Sequence, residues 1–387
     1  MAQTRATIPV AVVNGTGYGG VELLRLLARH PAFALVEVTA RSEAGKPVAS
    51  VFPHLPDLGL SFGKRVERAE LVFCALPDHA AVEMIPGLLA EGRRVVDLSA
   101  AFRLRDAALY PRWYGYEHPA PDLLARAVYG LPEVLRAAED VHLTPLRATE
   151  EAGDARYAPL RDAQLVACPG CYPTAAILAL APALRAGLIA PDIIVDAKSG
   201  VSGAGRALKL GMHYSEANED VAAYGLEGHR HKPEIAQELA RVTASSPSPH
   251  DGAVGSPSPR RERGLGGEDL RLSFTPHLVP MTRGILATCY APLRASVSPD
   301  DVAATYRAAY ADEPFVRLTA TAPHTKWTLG SNLCYVHPTV DQEARRLVAV
   351  SVLDNLGKGA AGQAIQCANI LCGLPEALGL PQEGVYP

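Results

Sequence analysis

The segment IPVAVVNGTGYGGVELLRLL, residues 8–27, contains an apolar run, a cluster of glycines and then a second apolar pattern of a different period. The run Ile8–Val13 has the length of a buried strand, and the residues after the glycines are apolar at the spacing of a helix. A strand that enters a helix through a glycine turn is the first unit of a doubly wound sheet. The segment therefore predicts an α/β fold with a Rossmann-like doubly wound parallel sheet.

The rest of the chain divides into two parts by the order of its elements. Strand-like segments ALVEVTARS, AELVFCALP and RRVVDLSA follow the first unit, and a helical pattern separates the last two. We predict that residues 1–170 form a dinucleotide-binding domain, which a C-terminal helix within about 355–387 completes. Residues 171–354 have many strand-like segments and few helices, which predicts an α+β domain with a mostly antiparallel sheet. Residues 245–267, rich in serine, proline and glycine, are expected to form a surface loop.

The composition excludes several classes of protein. A chain of 387 residues is long enough for two domains, and a net charge of -4 gives no basic excess for nucleic acid. No stretch approaches the roughly 18 apolar residues of a membrane span, and the first apolar run is shorter than the core of a signal peptide. Seven scattered cysteines do not resemble a secreted disulfide framework. We therefore expect a cytoplasmic protein with reduced cysteines and no membrane or nucleic-acid partner.

The glycine turn is a candidate phosphate-binding site. Backbone N–H groups and the positive end of the following helix suit a pyrophosphate, although a tight structural turn would have the same glycines. The expected dinucleotide contacts are Gly15, Thr16, Gly17, Tyr18 and Gly20. The second strand ends in Arg41 and Ser42 rather than in an acidic residue, which favours the 2′-phosphate of NADP over NAD, unless Arg41 is merely solvated.

The stretch CPGC, Cys168 to Cys171, has three interpretations. It could be a redox pair, half of a zinc site, or one nucleophile beside a packed cysteine. Neither Cys367 with Cys372 nor the two histidines of GHRH makes a convincing second zinc pair, so we expect no metal. Pro173 favours a helix that begins at Cys171, where the helix dipole stabilises a thiolate. On that interpretation Cys171 is the nucleophile, and Cys168 packs at the end of a strand.

A single nucleophile needs a base from elsewhere in the chain. The candidates are His229 and His231, which flank Arg230 in the stretch EGHRHKPEI just before a predicted helix. Two histidines in a turn are often polar side chains on the surface without a catalytic role. A thiol and a dinucleotide turn in the same chain nevertheless favour a catalytic role for this pair.

Taken together, the motifs resemble one family, the N-acetyl-gamma-glutamyl-phosphate reductases, which are relatives of aspartate-semialdehyde dehydrogenase. The resemblance covers nearly the whole chain. It is carried by GTGYGGVELLRLL from Gly15, DLSAAFRL from Asp97, VYGLPE from Val128, PGCYPTA from Pro169, SGVSGAGR from Ser199, YGLEGHRHKPEI from Tyr224, RGILAT from Arg283, GSN from Gly330 and DNLGKGAAGQAIQ from Asp354.

The resemblance implies an activity and roles for residues. The family reduces N-acetyl-L-glutamyl 5-phosphate with NADPH to the 5-semialdehyde and phosphate through a cysteine thioester, the third step of arginine biosynthesis. The nucleophile then falls on Cys171 and the acid/base on His229, with His231 as the alternative. Further cofactor contacts fall on Ser199, Gly200, Asn355 and Lys358, and substrate contacts on Arg103, Arg206 and Arg283. The second domain would be the catalytic and dimerisation domain of a homodimer or homotetramer.

The sequence departs from the family pattern in three places. Asn14 stands where the first glycine of the turn is expected, Asp78-His79 replaces a frequent His-Gly, and the loop 245–267 is extra. A homologous lysine-pathway reductase of aminoadipyl phosphate is an alternative, but we expect Asn-Ala after its cysteine, and GCYPTA here favours the arginine substrate. A non-enzymatic NADP-binding regulator would not need the cysteine and histidine motifs. A cysteine hydrolase would not need the glycine turn.

Overall fold

The first domain is built on a sheet whose strands all run parallel. The computed structural model describes residues 7–135, 157–244, 270–294 and 297–386; the loop predicted at 245–267 lies outside them. The strands are β1 (Ile8–Val13), β2 (Phe33–Thr39), β3 (Phe62–Gly63), β4 (Leu71–Cys74), β5 (Arg94–Asp97), β6 (Val128–Tyr129) and β7 (Leu165–Ala167). Their order is β3-β2-β1-β4-β5-β7-β6. The order reverses between β1 and β4, and in such sheets ligands bind at the carboxyl ends of the strands beside this reversal.

Twelve helices are described in the two domains taken together. They are α1 (Tyr18–Leu27), α2 (Val48–Val51), α3 (Asp78–Ala90), α4 (Tyr110–Tyr114), α5 (Pro121–Arg126), α6 (Pro132–Leu135), α7 (Ala158–Arg161), α8 (Cys171–Arg185), α9 (Tyr214–Ala217), α10 (His231–Ala244), α11 (Pro299–Tyr310) and α12 (Gly362–Leu371). None of these helices is long and apolar enough to cross a membrane.

Both faces of the parallel sheet are covered. Side chains of β1 alternate between two apolar clusters, so that Val10 and Val12 belong to one and Ala11 and Val13 to the other. Helices α1 and α12 pack in the first cluster, and α3 packs in the second. The helix predicted from residue 355 begins instead as a π-helical turn, Gly357–Ala361, before α12. The last helix of the chain thus covers a face of the first domain.

The second domain has a mixed, mostly antiparallel sheet. Its strands are β8 (Asp192–Gly200), β9 (Ala222–Ala223), β10 (Arg271–Val279), β11 (Ile285–Pro292), β12 (Val316–Leu318), β13 (Cys334–Asp341) and β14 (Arg346–Leu353), in the order β12-β13-β14-β11-β8-β10-β9. Pairs β8/β10 and β12/β13 are parallel, and the other four are antiparallel. Helices α8, α10 and α11 pack with the sheet in one apolar core. The predicted fold class is confirmed.

Helix α8 joins the two domains and starts at the candidate nucleophile. It begins at Cys171, directly after the loop that follows β7, as Gly170 and Pro173 predicted. Every residue from Tyr172 to Leu184 is buried, which is the pattern of a helix inside a core rather than on its surface. Cys171 is therefore carried by an element that packing holds on all sides.

Candidate active site

A cleft of about 1000 Å³ runs between the two domains, from the glycine turn to Cys171. It is lined by parts of the first domain (Asn14, Thr16–Gly19, Ser42, Glu43, Ala75–Asp78, Leu98–Ala100 and Arg103), by Cys168–Cys171, and by parts that follow in the chain (Ser202–Lys209, Arg230, His231, Asn355, Leu356, Gly359 and Ala360). The cleft opens at the carboxyl ends of β1 and β4, where the strand order reverses. The fold thus places both candidate centres of chemistry in one space.

The glycine turn keeps its shape although asparagine replaces its first glycine. Asn14 adopts a φ of 61°, in the left-handed region that asparagine tolerates better than most residues. Its Nδ2 donates to the carbonyl of Ala75 at 2.7 Å, which ties the end of β1 to the end of β4. Gly20 is required by close approach, because a Cβ there would lie 2.5 Å from the carbonyl oxygen of Asn14. The departure at Asn14 is therefore compatible with the turn.

An ion pair fixes the loop that leads into Cys171. Arg103 Nε donates to the carbonyl of Cys168 at 2.7 Å, and its Nη1 lies 3.3 Å from Glu234 Oε2. Glu234 Oε1 accepts from the backbone N–H of Gly170 at 2.8 Å and from the hydroxyl of Tyr129 at 2.8 Å. Both charged side chains are buried, so neither has a solvent-exposed alternative to these partners. The network holds the backbone that leads into Cys171, the candidate nucleophile.

The surroundings of Cys171 favour the thiol over the thiolate. Burial raises the pKa of Cys171 to about 11, and the backbone N–H of Tyr172 and the charge of Arg103 oppose this rise only in part. The thiolate stabilisation that we expected from the helix end does not prevail. Gly359 of the π-helical turn lies against Cys171, because a Cβ there would be 2.8 Å from Cys171 Cβ. The thiol consequently needs a base at the moment of attack.

The two histidines occupy different positions. His231, the first residue of α10, is buried and lines the cleft; a Cβ on Gly170 would lie 2.5 Å from its Nε2, so the ring faces the backbone beside Cys171. His229 is half-buried and does not line the cleft; its Nδ1 accepts from the backbone N–H of His231 at 3.1 Å, which caps the helix. The geometry thus favours His231, the alternative in the sequence prediction, over His229.

Both imidazoles are uncharged near neutral pH. Burial is the largest cause that lowers the pKa of His231 well below its usual range. Burial, followed by the charge of Arg230, lowers that of His229 to about 4. A neutral imidazole can accept a proton, which an imidazolium could not do. Together with the raised pKa of Cys171, these neutral rings indicate that the free protein holds a thiol and an uncharged imidazole rather than a thiolate–imidazolium pair.

The structure brings some of the predicted cofactor residues to the cleft. Thr16, Gly17, Tyr18, Ser42 and Asn355 line it. Gly15 and Gly20 are buried inside the turn, Ser199 and Gly200 are buried at the end of β8, and Arg41 is exposed outside the lining. The last group shapes or flanks the cleft rather than facing it.

Lys358 does not reach the cleft, contrary to the expectation from the family resemblance. Its Nζ is fully buried and donates to Glu133 Oε1 and Gln366 Oε1, each at 2.6 Å. The Glu133 carboxyl is buried as well, yet the adjacent ammonium keeps its pKa below the usual value against the opposing effect of burial. Lys358 therefore anchors the π-helical turn from beneath, one residue before Gly359.

The three predicted substrate arginines have separate surroundings. Arg103 lies in the cleft wall beside the loop that precedes Cys171. Arg206 lines the opposite end, where its Nη1 donates to the carbonyl of Thr16 at 3.1 Å. Arg283 is not in the lining; it forms an ion pair with Asp354 at 2.9 Å within the second domain and one with Glu22 of α1 at 3.0 Å, which joins the two domains.

The lining or supporting residues that were not predicted from the sequence include Lys209, Arg230, Glu234 and Gly359. Glu234 carried a usable signal, because it stands three residues after His231 in the first turn of a predicted helix and so on the same face. The others follow from the packing of distant segments, for which we find no local signal.

Comparison with known proteins defines the class first. A family model described as semialdehyde dehydrogenase, NAD binding domain, matches residues 9–142, and one described as semialdehyde dehydrogenase, dimerisation domain, matches 171–250 and 260–355. Together with the two-domain fold, these matches identify a semialdehyde dehydrogenase. The chain is also 46% identical over 377 residues to N-acetyl-gamma-glutamyl-phosphate reductase of Dehalococcoides mccartyi, covering 97% of this chain and 98% of that protein. The chain belongs to the N-acetyl-gamma-glutamyl-phosphate reductase family.

Solved structures agree on the fold. Aspartate semialdehyde dehydrogenase II from Vibrio cholerae, complexed with ASA, has a TM-score of 0.64 at 16% identity and covers 95% of this chain and 99% of that one. Aspartate semialdehyde dehydrogenase with NADP from Candida albicans has a TM-score of 0.63, also at 16% identity, with the same coverage of both chains. The family resemblance inferred from the sequence is confirmed.

Proposed function

We propose that this chain reduces N-acetyl-L-glutamyl 5-phosphate to N-acetyl-L-glutamate 5-semialdehyde and phosphate with NADPH, the third step of arginine biosynthesis. The observation that carries the proposal is that Cys171, at the start of α8, and His231, at the start of α10, line the same cleft as the glycine turn. A relative that shares 46% of its sequence with this chain bears the name of that reductase. The stretch GCYPTA favours this substrate over the aminoadipyl phosphate of the lysine pathway.

The protein contributes a nucleophile and a proton acceptor. Cys171 Sγ attacks the acyl carbon while neutral His231 accepts the thiol proton; the carbon–oxygen bond to phosphate breaks, and phosphate leaves with the bonding electrons. The product is a thioester on Cys171. NADPH, when bound, supplies the hydride that reduces such a carbonyl. As the aldehyde forms, the carbon–sulfur bond breaks and His231 returns its proton to the sulfur, so that the enzyme is restored.

Arg103 acts on this reaction at short range. Its guanidinium donates hydrogen bonds to the carbonyl of Cys168 and to Glu234. We therefore propose that Arg103 orients the loop before Cys171 and adds positive charge near the departing phosphate. Lys209 and Arg230 line the cleft and are the more exposed cations available to a doubly charged phosphate.

The cleft fits a dinucleotide. The glycine turn stands at the start of α1, whose N-cap Gly17 makes no side-chain hydrogen bond, and the open side of Gly17 leaves room for close approach. Ser42 lines the cleft after β2, and no carboxylate lies at that strand's last residue, which is why we propose NADP rather than NAD. The family model describes the domain only as NAD binding.

Assembly and location complete the proposal. The second domain matches a family model described as a dimerisation domain, and we propose a homodimer or homotetramer formed through it. All seven cysteines are unpaired, and the nucleophile must stay reduced, which favours the cytoplasm.

The direct test is the reverse reaction. We expect purified protein to reduce NADP in the presence of N-acetylglutamate 5-semialdehyde and phosphate, measured as absorbance at the nicotinamide band. Omission of phosphate should remove the signal, because phosphate is the group that releases the acyl chain from Cys171. A signal that does not depend on phosphate would contradict the reductase, and acceptance of only a carrier-linked aminoadipyl substrate would move the enzyme to the lysine pathway.

A further inference from the structure

Arg206 crosses the cleft from the second domain to the first. It follows β8 in the loop Ser202–Lys209, and its Nη1 donates to the carbonyl of Thr16 in the glycine turn at 3.1 Å. Its guanidinium carbon lies 5.4 Å from the centroid of the Phe52 ring, near enough for a cation–π contact. Although exposed, Arg206 is thus held in place by two contacts with the opposite domain.

The position of Arg206 corresponds to the adenosine end of a dinucleotide. In doubly wound folds the pyrophosphate lies at the first glycine turn, and the adenosine ribose lies at the end of the second strand. Thr16 belongs to the first of these places, and Ser42 and Glu43 line the cleft at the second. Arg206 contacts Thr16 directly, and its charge, after that of Lys46, helps to keep the pKa of Glu43 below the usual value. It therefore lies between pyrophosphate and ribose.

The other charges at this end do not account for a preference for a 2′-phosphate. Arg41, the arginine that the strand-end pattern selects, is exposed and outside the cleft lining. Glu43 lines the cleft, and a carboxylate there suits ribose hydroxyls and repels a phosphate. Lys46, at 2.7 Å from Glu43, is already paired with it. Among the described residues that line this end, Arg206 is the cation whose hydrogen-bond donors can turn towards a phosphate.

We propose that Arg206, together with the hydroxyl of Ser42, binds the 2′-phosphate and sets the preference for NADP over NAD. Cofactor choice then depends on an arginine supplied by the catalytic domain across the cleft, not on the strand-end Arg41. The inference rests on the proposed function, because it takes NADP as the cofactor.

The test is equilibrium binding of NADPH and NADH, followed by nicotinamide fluorescence without substrate. In Arg206→Gln we expect the Kd for NADPH to rise about tenfold to a hundredfold, since a charge-assisted contact to phosphate is lost. The Kd for NADH should change less than about threefold, because it has no 2′-phosphate. Arg206→Lys keeps the charge but loses the paired donors of the guanidinium, so its Kd for NADPH should lie between those of the wild type and Arg206→Gln.

Two control variants distinguish this proposal from its rivals. Arg112 is also an exposed arginine over an aromatic ring, 5.0 Å from the centroid of Trp113, but it lies outside the cleft lining, and Arg112→Gln should leave both Kd values unchanged. Arg41→Gln should weaken NADPH binding less than Arg206→Gln does. An equal loss of NADH and NADPH in Arg206→Gln, or loss of discrimination in Arg41→Gln alone, would overturn the inference.

The same titrations separate this inference from the reductase proposal. Wild-type protein that binds NADPH more tightly than NADH, with the preference removed in Arg206→Gln, supports the role of Arg206 even if the acyl phosphate is not reduced. Wild-type protein that prefers NADH overturns it even if the semialdehyde is formed.

Discussion

The two ends of the cleft are built differently. At the Cys171 end the polar groups are buried and bonded to one another, as in the network of Arg103, Glu234 and the backbone of Gly170. At the glycine-turn end, Tyr18, Ser42 and Arg206 are exposed. A buried network fixes a geometry before the substrate arrives, whereas exposed side chains can close on a ligand that must also leave. We therefore expect the Cys171 end of the cleft to be rigid and the glycine-turn end to adapt to what it binds.

The largest expected effect is at the nucleophile. We expect Cys171→Ser to lower phosphate-dependent oxidation of the semialdehyde by about a thousandfold or more, because a hydroxyl is a far weaker nucleophile than a thiol. Cys168→Ser should keep most of the activity, since Cys168 is a packed, buried side chain at the end of β7. Steady-state rates of the two folded variants provide the measurement, and an equal loss in both would support a redox pair instead.

The next effect separates the two histidines. His231→Asn should lower kcat by about a hundredfold to ten-thousandfold, the usual contribution of general acid–base catalysis, because the thiol loses its proton acceptor. His229→Asn keeps a side-chain oxygen that can accept the backbone N–H of His231, so it should change the free energy of unfolding little and lower kcat far less than His231→Asn does. Thermal unfolding and steady-state kinetics of both variants test this, and the opposite ranking of the two kcat values would return the acid/base to His229.

The smallest effect concerns the charge of Cys171 in the free enzyme. Its pKa of about 11 means that the thiolate fraction, and with it the rate of iodoacetamide alkylation, should rise about tenfold per pH unit between pH 7 and 10. His231 stays neutral throughout this range because its pKa is well below the usual value, so catalysis should fall only in acid well below pH 6.5. Peptide mapping by mass spectrometry assigns the alkylated cysteine. An alkylation rate that reaches a plateau near pH 7 would indicate a preformed thiolate–imidazolium pair at the buried end.

Local signals predicted the fold and one end of the site. The parallel sheet followed from the alternation that begins at Ile8–Val13, and the start of α8 followed from the glycine and proline around Cys171, because both depend on neighbours in sequence. The pKa of Cys171 could not be predicted in the same way. Burial, which outweighs the helix end, comes from segments such as the turn at Gly359, which lies far along the chain.

The charged residues also show that local sequence does not reveal the distant partners of a side chain. Arg206, Arg283 and Lys358 all lie in motif segments and have the same sign of charge, so the sequence assigned all three to ligands. Arg206 does line the cleft, but the partners of the other two hold them elsewhere: Lys358 pairs with Glu133, which is 225 positions away, and Arg283 pairs with Glu22, which is 261 positions away. The choice between His229 and His231 likewise depends on how α10 approaches Gly170, which no local pattern contains.

The packing of α12 has a consequence for folding during synthesis on the ribosome. Ala364, Ile365 and Ala368 share an apolar cluster with Val10 and Val12, so this face of the first sheet, which α1 also covers, lacks part of its cover until the end of the chain has been translated. Domains usually fold in the order of their synthesis, at about 5–20 residues per second. Here the domain that begins at the amino terminus is the last to be completed, and the nascent chain must carry its unfinished sheet until Leu371 has left the exit tunnel.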